Sequence, residues 1–147
     1  MFGHVDGTYY LCHMKYLLKT KTTDLSSHQI RKVVGETIKW CEDNVGVKVS
    51  RQRTFKYRVL TLPDGYTPAY GCYDYDKNTL YIFRNHADNI KMVVRTVLHE
   101  YTHFLQNLRS YHTLLKKVGY DNHPHEVEAR SMEVFYSVCW KDIKNNL

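Results

Sequence analysis

Between residues 24 and 46 the apolar positions keep a helical rhythm. Ile30, Val33, Val34, Thr37, Ile38 and Cys41 recur at three- and four-residue spacing, which gathers them on one face of an α-helix. Asp24 or Ser26 can accept from the first free N–H groups, and Asn44 and Gly46 suit the other end. The period then drops to two. Residues 47–51 and 54–60 alternate apolar and polar side chains, predicting half-buried strands. Pro63-Asp64-Gly65 marks a turn, after which 69–74 and 79–83 flank Tyr75-Asp76-Lys77-Asn78 as a predicted hairpin.

From Asp88 or Asn89 the helical period returns. Val93, Val94, Val97, Leu98, Tyr101, Phe104, Leu105 and Leu108 form the apolar stripe of a long helix. A final helix is predicted from Pro124, a residue suited to a first turn, with Val127, Met132, Phe135, Val138 and Cys139 among its buried positions. Residues 8–18 satisfy neither period, so 1–23 forms a poorly readable N-terminal extension. The order is helix, strands, hairpin, long helix, final helix, and it predicts an α+β fold. With no repeat or linker, the 147 residues read as a single domain, 1–147.

Composition narrows this picture. No run of eighteen apolar residues occurs, and the first six residues lack the basic stretch and apolar run of a secretory signal, so the expectation is a cytoplasmic protein with no membrane association. Cys12, Cys41, Cys72 and Cys139 are far apart and form no C-x-x-C pair, which argues against a ribbon-type metal site or a redox pair. The formal charge of +6 comes from scattered Lys and Arg residues and reads first as a solvated surface.

The chemistry concentrates in His99-Glu100-Tyr101-Thr102-His103, inside the long helix. Residues four apart project from one helix face, so His99 and His103 can present ring nitrogens to one tetrahedral ion. Glu100 is rotated by roughly 100° from His99, which sets its carboxylate beside the ion, where a base for activated water belongs. About twenty residues on, His123-Pro124-His125-Glu126-Val127-Glu128-Ala129-Arg130 supplies further candidate ligands.

These residues resemble the zincin-like metallopeptidases, specifically the gluzincin-type group, across 69–135. The resemblance implies a zincin-like α+β fold with a mixed β-sheet packed on the HExxH helix and a C-terminal ligand-bearing helix. It implies a Zn2+ cofactor held by His99, His103 and Glu126, with Glu100 as the catalytic base. Glu126-Val127-Glu128-Ala129 reproduces the first four positions of the group's E-x-x-A-D or E-x-x-S-D pattern, and so Glu126 is assigned as third ligand. Glu128 is its rival, roughly 200° away on an ideal helix and therefore unable to share the ion with it. A more distant likeness to the SprT-like proteins, which use a third histidine, keeps His123 and His125 in play. Position 130 departs from the group, since Arg130 stands where an Asp or Asn can orient a ligand histidine.

The activity implied is peptide-bond hydrolysis of a peptide or protein substrate: the metal acidifies a water, Glu100 takes its proton, and the hydroxide attacks a polarised carbonyl. A donor for the developing oxyanion is also expected, with Tyr120, Tyr111, His112, His123 and Arg130 as candidates. By the same resemblance, 69–74 forms the sheet edge above the metal and pairs with an extended substrate, where Gly71 permits close backbone approach or simply marks a bend. A reading from a different class is a nucleic-acid-associated binding module with a structural or vestigial zinc site. It draws on the basic balance and on Lys48, Arg51, Arg53, Lys56 and Arg58, which could form a strip that gives weak nucleic-acid association.

Overall fold

A computed structural model describes residues 17–48, 55–63, 65 and 69–147. The predicted element within 8–18, most of the predicted strand at 47–51, and Cys12, Arg51, Arg53 and Asp64 lie outside the described residues.

The first helix, α1 (Ser27–Asn44), is capped by Ser26, not Asp24. Ser26 Oγ accepts from the Gln29 N–H and Gln29 Oε1 accepts from the Ser26 N–H, a reciprocal capping box that satisfies two otherwise free donors. Asp24 ends a short 3-10 turn just before it. Ile30, Val33, Val34, Thr37, Ile38 and Cys41 are all buried, as their spacing predicts.

Three strands follow: β1 (Lys56–Leu60), β2 (Gly71–Asp74) and β3 (Thr79–Phe83). They form a mixed sheet in the order β1-β3-β2. The hairpin pairs β2 with β3 antiparallel, Cys72 opposite Tyr81, while β1 runs parallel to β3 with Arg58 opposite Tyr81. Asn78 closes the hairpin at a φ of 48°, a left-handed conformation that asparagine tolerates, and its side chain accepts from the Tyr73 hydroxyl. The pattern at 47–51 is not a strand where it is described: Val47 and Lys48 are irregular, and Lys48 Nζ donates to the Gln106 carbonyl at 2.7 Å. Phe55 precedes the strand proper, and its ring packs against Phe104, Tyr101 and Tyr73.

The long helix, α2 (Ile90–Leu105), is capped by Asn89, whose Oδ1 accepts from the Met92 N–H. It is the central element, packed against α1, the sheet and the C-terminal helices. Its last turn stops short of Leu108 because Gln106 turns extended and commits its side-chain amide to His103 and His125.

A short helix, α3 (Tyr111–Val118), is not among the predicted elements, although Tyr111, Leu114, Leu115 and Val118 keep a helical spacing over its two turns; none of them is fully buried. Its end does carry a signal, Lys116 and Lys117 followed by Gly119 at a φ of 78°. The final helix begins at Pro124 but is broken in two, α4 (Pro124–Met132) and α5 (Tyr136–Ile143), joined by a 3-10 turn. Of the positions predicted to be buried there, Cys139 is. Val127, Phe135 and Val138 are exposed and Met132 is half-buried. The inward face is Glu126, Ala129, Cys139, Trp140 and Ile143, a register set by the carboxylate that α4 turns toward α2. No described helix is long and apolar enough to cross a membrane.

Candidate metal centre

His99 and His103 lie one turn apart on the buried face of α2, and Glu126 faces them from the first turn of α4. Proline at the first position of α4 and His123 as its cap set the start of that helix, which points Glu126 inward and leaves Glu128 in solvent. The Glu126 Oε2 to His99 Nε2 distance is 3.0 Å, Oε1 to His103 Nε2 is 3.1 Å, and the two Nε2 atoms are 3.3 Å apart. Among the described residues these three form the cluster that could hold a metal ion.

The imidazoles are held from behind. His99 Nδ1 lies 2.8 Å from Glu133 Oε1, and the other oxygen of Glu133 accepts from Arg95 at 2.8 Å. His103 Nδ1 lies 2.8 Å from Gln106 Oε1, whose amide nitrogen donates to the His125 carbonyl. Because Glu133 and Gln106 present acceptor oxygens, both Nδ1 atoms carry protons and both Nε2 atoms offer lone pairs toward Glu126. Two lone pairs and a carboxylate converging within 3.3 Å repel one another unless a cation lies between them. Ligand atoms about 2.0–2.2 Å from a tetrahedral zinc sit roughly 3.3–3.6 Å apart, close to the separations here. The donor set therefore fits a divalent metal.

Without the ion, protons take its place. Burial alone would lower the His99 pKa, but hydrogen bonds to Glu126 and Glu133 outweigh it and raise it to about 9. His103 shifts up for the same reason, against burial, through Glu126 and the charge of Glu100. Burial pushes the Glu126 carboxyl up, but bonds from His103, His99 and Tyr111 win and hold it well below the usual carboxylate range. Glu133 is likewise held low by His99 and Arg95 in spite of burial.

Glu100 stands beside the cluster on a cleft of about 610 Å³. One wall is β2 and its turn, from Cys72 to Asp76, and the other carries Leu108, Tyr111, His112 and Tyr120. Burial raises the Glu100 pKa, opposed by His99 and His103 and by the Tyr73 backbone N–H that donates to the carboxylate. Cys72 on the same wall has its thiol pushed up to about 11, first by its partial desolvation in the cleft and then by the charge of Glu100.

The structure brings together all four residues singled out from the sequence: His99, Glu100, His103 and Glu126. It does not bring in the rivals. His123 is fully buried with both ring nitrogens engaged, Nε2 donating to the Tyr111 carbonyl and Nδ1 accepting from the His125 N–H. His125 lies outside the cluster, its Nδ1 without a described partner. Arg130 reaches the Asp121 carbonyl and the Tyr120 ring, so the orienting role open at position 130 falls to Glu133. Glu133 lies seven residues, about two helical turns, beyond Glu126, and this spacing was the signal for it in the sequence. Gln106, three residues after His103, was legible in the same way.

Gly71 at the start of β2 is where the sheet meets α2. A Cβ there would lie 2.5 Å from the Tyr81 carbonyl oxygen and 2.8 Å from Thr96 Cγ2, so the glycine serves close packing of the cleft wall on the helix. Compared with known proteins, the chain matches no family model, no curated protein and no solved structure.

Proposed function

We propose that the chain is a zinc-dependent metallopeptidase of zincin-like fold, with His99, His103 and Glu126 as ligands and Glu100 as general base. The observation that carries this reading is the convergence of two imidazole nitrogens, 3.3 Å apart, on the two oxygens of one carboxylate at 3.0 and 3.1 Å, beside a second, half-buried carboxylate on an open cleft. Zinc is favoured by the donor set, two neutral imidazoles and one carboxylate, which leaves a coordination position for solvent or substrate. When bound, such an ion supplies Lewis acidity and lowers the pKa of water.

The chain's own residues supply the rest. Glu100, raised by burial, takes a proton from water in the cleft and returns it to the leaving amine. The Tyr73 N–H fixes the carboxylate during the exchange. The wall formed by β2, the sheet edge beside α2, suits an extended peptide laid along the cleft. Glu100→Gln tests this assignment. Peptide hydrolysis is expected to fall by about 100-fold or more with zinc content unchanged; retained hydrolysis would remove Glu100 from the mechanism.

A second reading, nucleic-acid association, is favoured by one observation. Lys56, Arg58 and Lys77 line a separate groove of about 580 Å³ with Tyr81, on the sheet face away from the helices. Lys48 is not part of it, being bonded to the end of α2. Binding of a single-stranded oligonucleotide that weakens as salt rises and is lost in Arg58→Glu would support this reading; no salt-dependent binding would remove it.

A further inference from the structure

We infer that Tyr111 is the residue that positions the third metal ligand, with His123 as its support; the inference rests on reading His99, His103 and Glu126 as a metal site. The Tyr111 hydroxyl donates to Glu126 Oε1 at 2.6 Å, the shortest bond that carboxylate makes. Its next closest partners are the ring nitrogens of His99 and His103, whose lone pairs a metal would claim. A glutamate's last torsion is broad, so the carboxylate needs an anchor that a metal does not displace. A short hydrogen bond to an ionised acceptor provides one. It holds Oε1 on the phenol side and turns Oε2 toward His99.

The anchor is itself anchored. The Tyr111 ring stacks on His123 with centroids 4.2 Å apart, and His123 Nε2 donates to the Tyr111 backbone carbonyl at 2.9 Å. His123 is fully buried, caps α4 and lies three residues before Glu126. Ligand and phenol are thus both referenced to one ring. The helix that Tyr111 begins buries no residue of its own, so this contact is what fixes the phenol over the cleft. Tyr111 is thereby separated from the oxyanion role, because its hydroxyl hydrogen is already committed. Tyr120, the other phenol in the cleft, feels the charge of Glu126 and reaches it as a weaker hydrogen-bond partner, without the 2.6 Å bond that Tyr111 makes.

Tyr111→Phe keeps the stacked ring and deletes only the hydroxyl. Zinc affinity would be measured by competition with a chromophoric chelator for the unaltered chain, Tyr111→Phe and Tyr120→Phe. Each would also be melted with and without zinc, so that every variant is compared with its own metal-free form. The expected result is a zinc dissociation constant raised about 10-fold or more in Tyr111→Phe, a smaller zinc-induced rise in melting temperature, and a clearly smaller loss of affinity in Tyr120→Phe. Zinc affinity equal to the unaltered chain in Tyr111→Phe, or a loss confined to Tyr120→Phe, would overturn the inference alone. A folded, unaltered chain that binds no zinc would overturn the metal-site reading and this inference with it.

Discussion

His99 and His103 each give one ring nitrogen to the cluster and one to a neighbour, and those neighbours decide what the site can hold. Glu133 sits between His99 and Arg95, so its removal frees one imidazole to turn and leaves a guanidinium without its partner. Glu133→Ala is expected to weaken zinc binding by about 10-fold to 100-fold without unfolding the chain, measured by chelator competition. Unchanged affinity would mean that His99 is held by its helix alone. Protons and metal compete for the same lone pairs, and the metal-free His99 pKa lies near 9, above its ordinary value. His103 is raised as well, so binding at neutral pH must displace a proton from each imidazole, and apparent zinc affinity should keep rising between pH 7 and about 9 by about tenfold or more per pH unit. An affinity that levels off above pH 7, as for an ordinary histidine, would contradict the hydrogen-bonded arrangement around Glu126 and Glu133.

Elements set these residues in place, and their legibility differed for physical reasons. The helices α1 and α2 were readable almost residue by residue, because each buries one continuous apolar face and begins at a side-chain cap. The final helix was readable only at its start. Its inward register follows Glu126 and Ala129, so a pattern search that weighs apolar residues alone places Val127, Phe135 and Val138 inside when they are exposed. The short α3, which carries Tyr111, spaces Tyr111, Leu114, Leu115 and Val118 as a helix does, but over only two turns and with none fully buried, so its pattern is brief. Gly71 shows the other limit, since its requirement is a close approach to Tyr81 and Thr96 that only the assembled sheet and helix reveal. Gly71→Ala is expected to destabilise the fold by about 1–3 kcal/mol, seen as a lower denaturant midpoint, because both contacts are tighter than a Cβ allows. A neutral result would show that the wall can move away from α2.

At the scale of the whole molecule, the mixed sheet and the C-terminal helices meet on one helix, α2. The proposed base and two of the three proposed ligands therefore share one helix, against which the sheet edge and the helix of Glu126 pack. The sequence carried this plan in three separate signals: the change from a period of two to a helical period near Asp88, the His99 to His103 spacing, and Pro124 ahead of Glu126. It carried the supporting shell only as spacing, Glu133 seven residues after Glu126 and Gln106 three after His103, because these side chains and Tyr111 acquire their roles only when the C-terminal elements pack on α2. The proposed peptidase function depends on the cluster holding a metal in the protein as made. Elemental mass spectrometry of chain purified without added metal, beside His103→Ala, tests this most directly. The account predicts about one zinc per chain, lost in the variant while its fold survives. A folded chain that carries no zinc even after zinc is offered would contradict it.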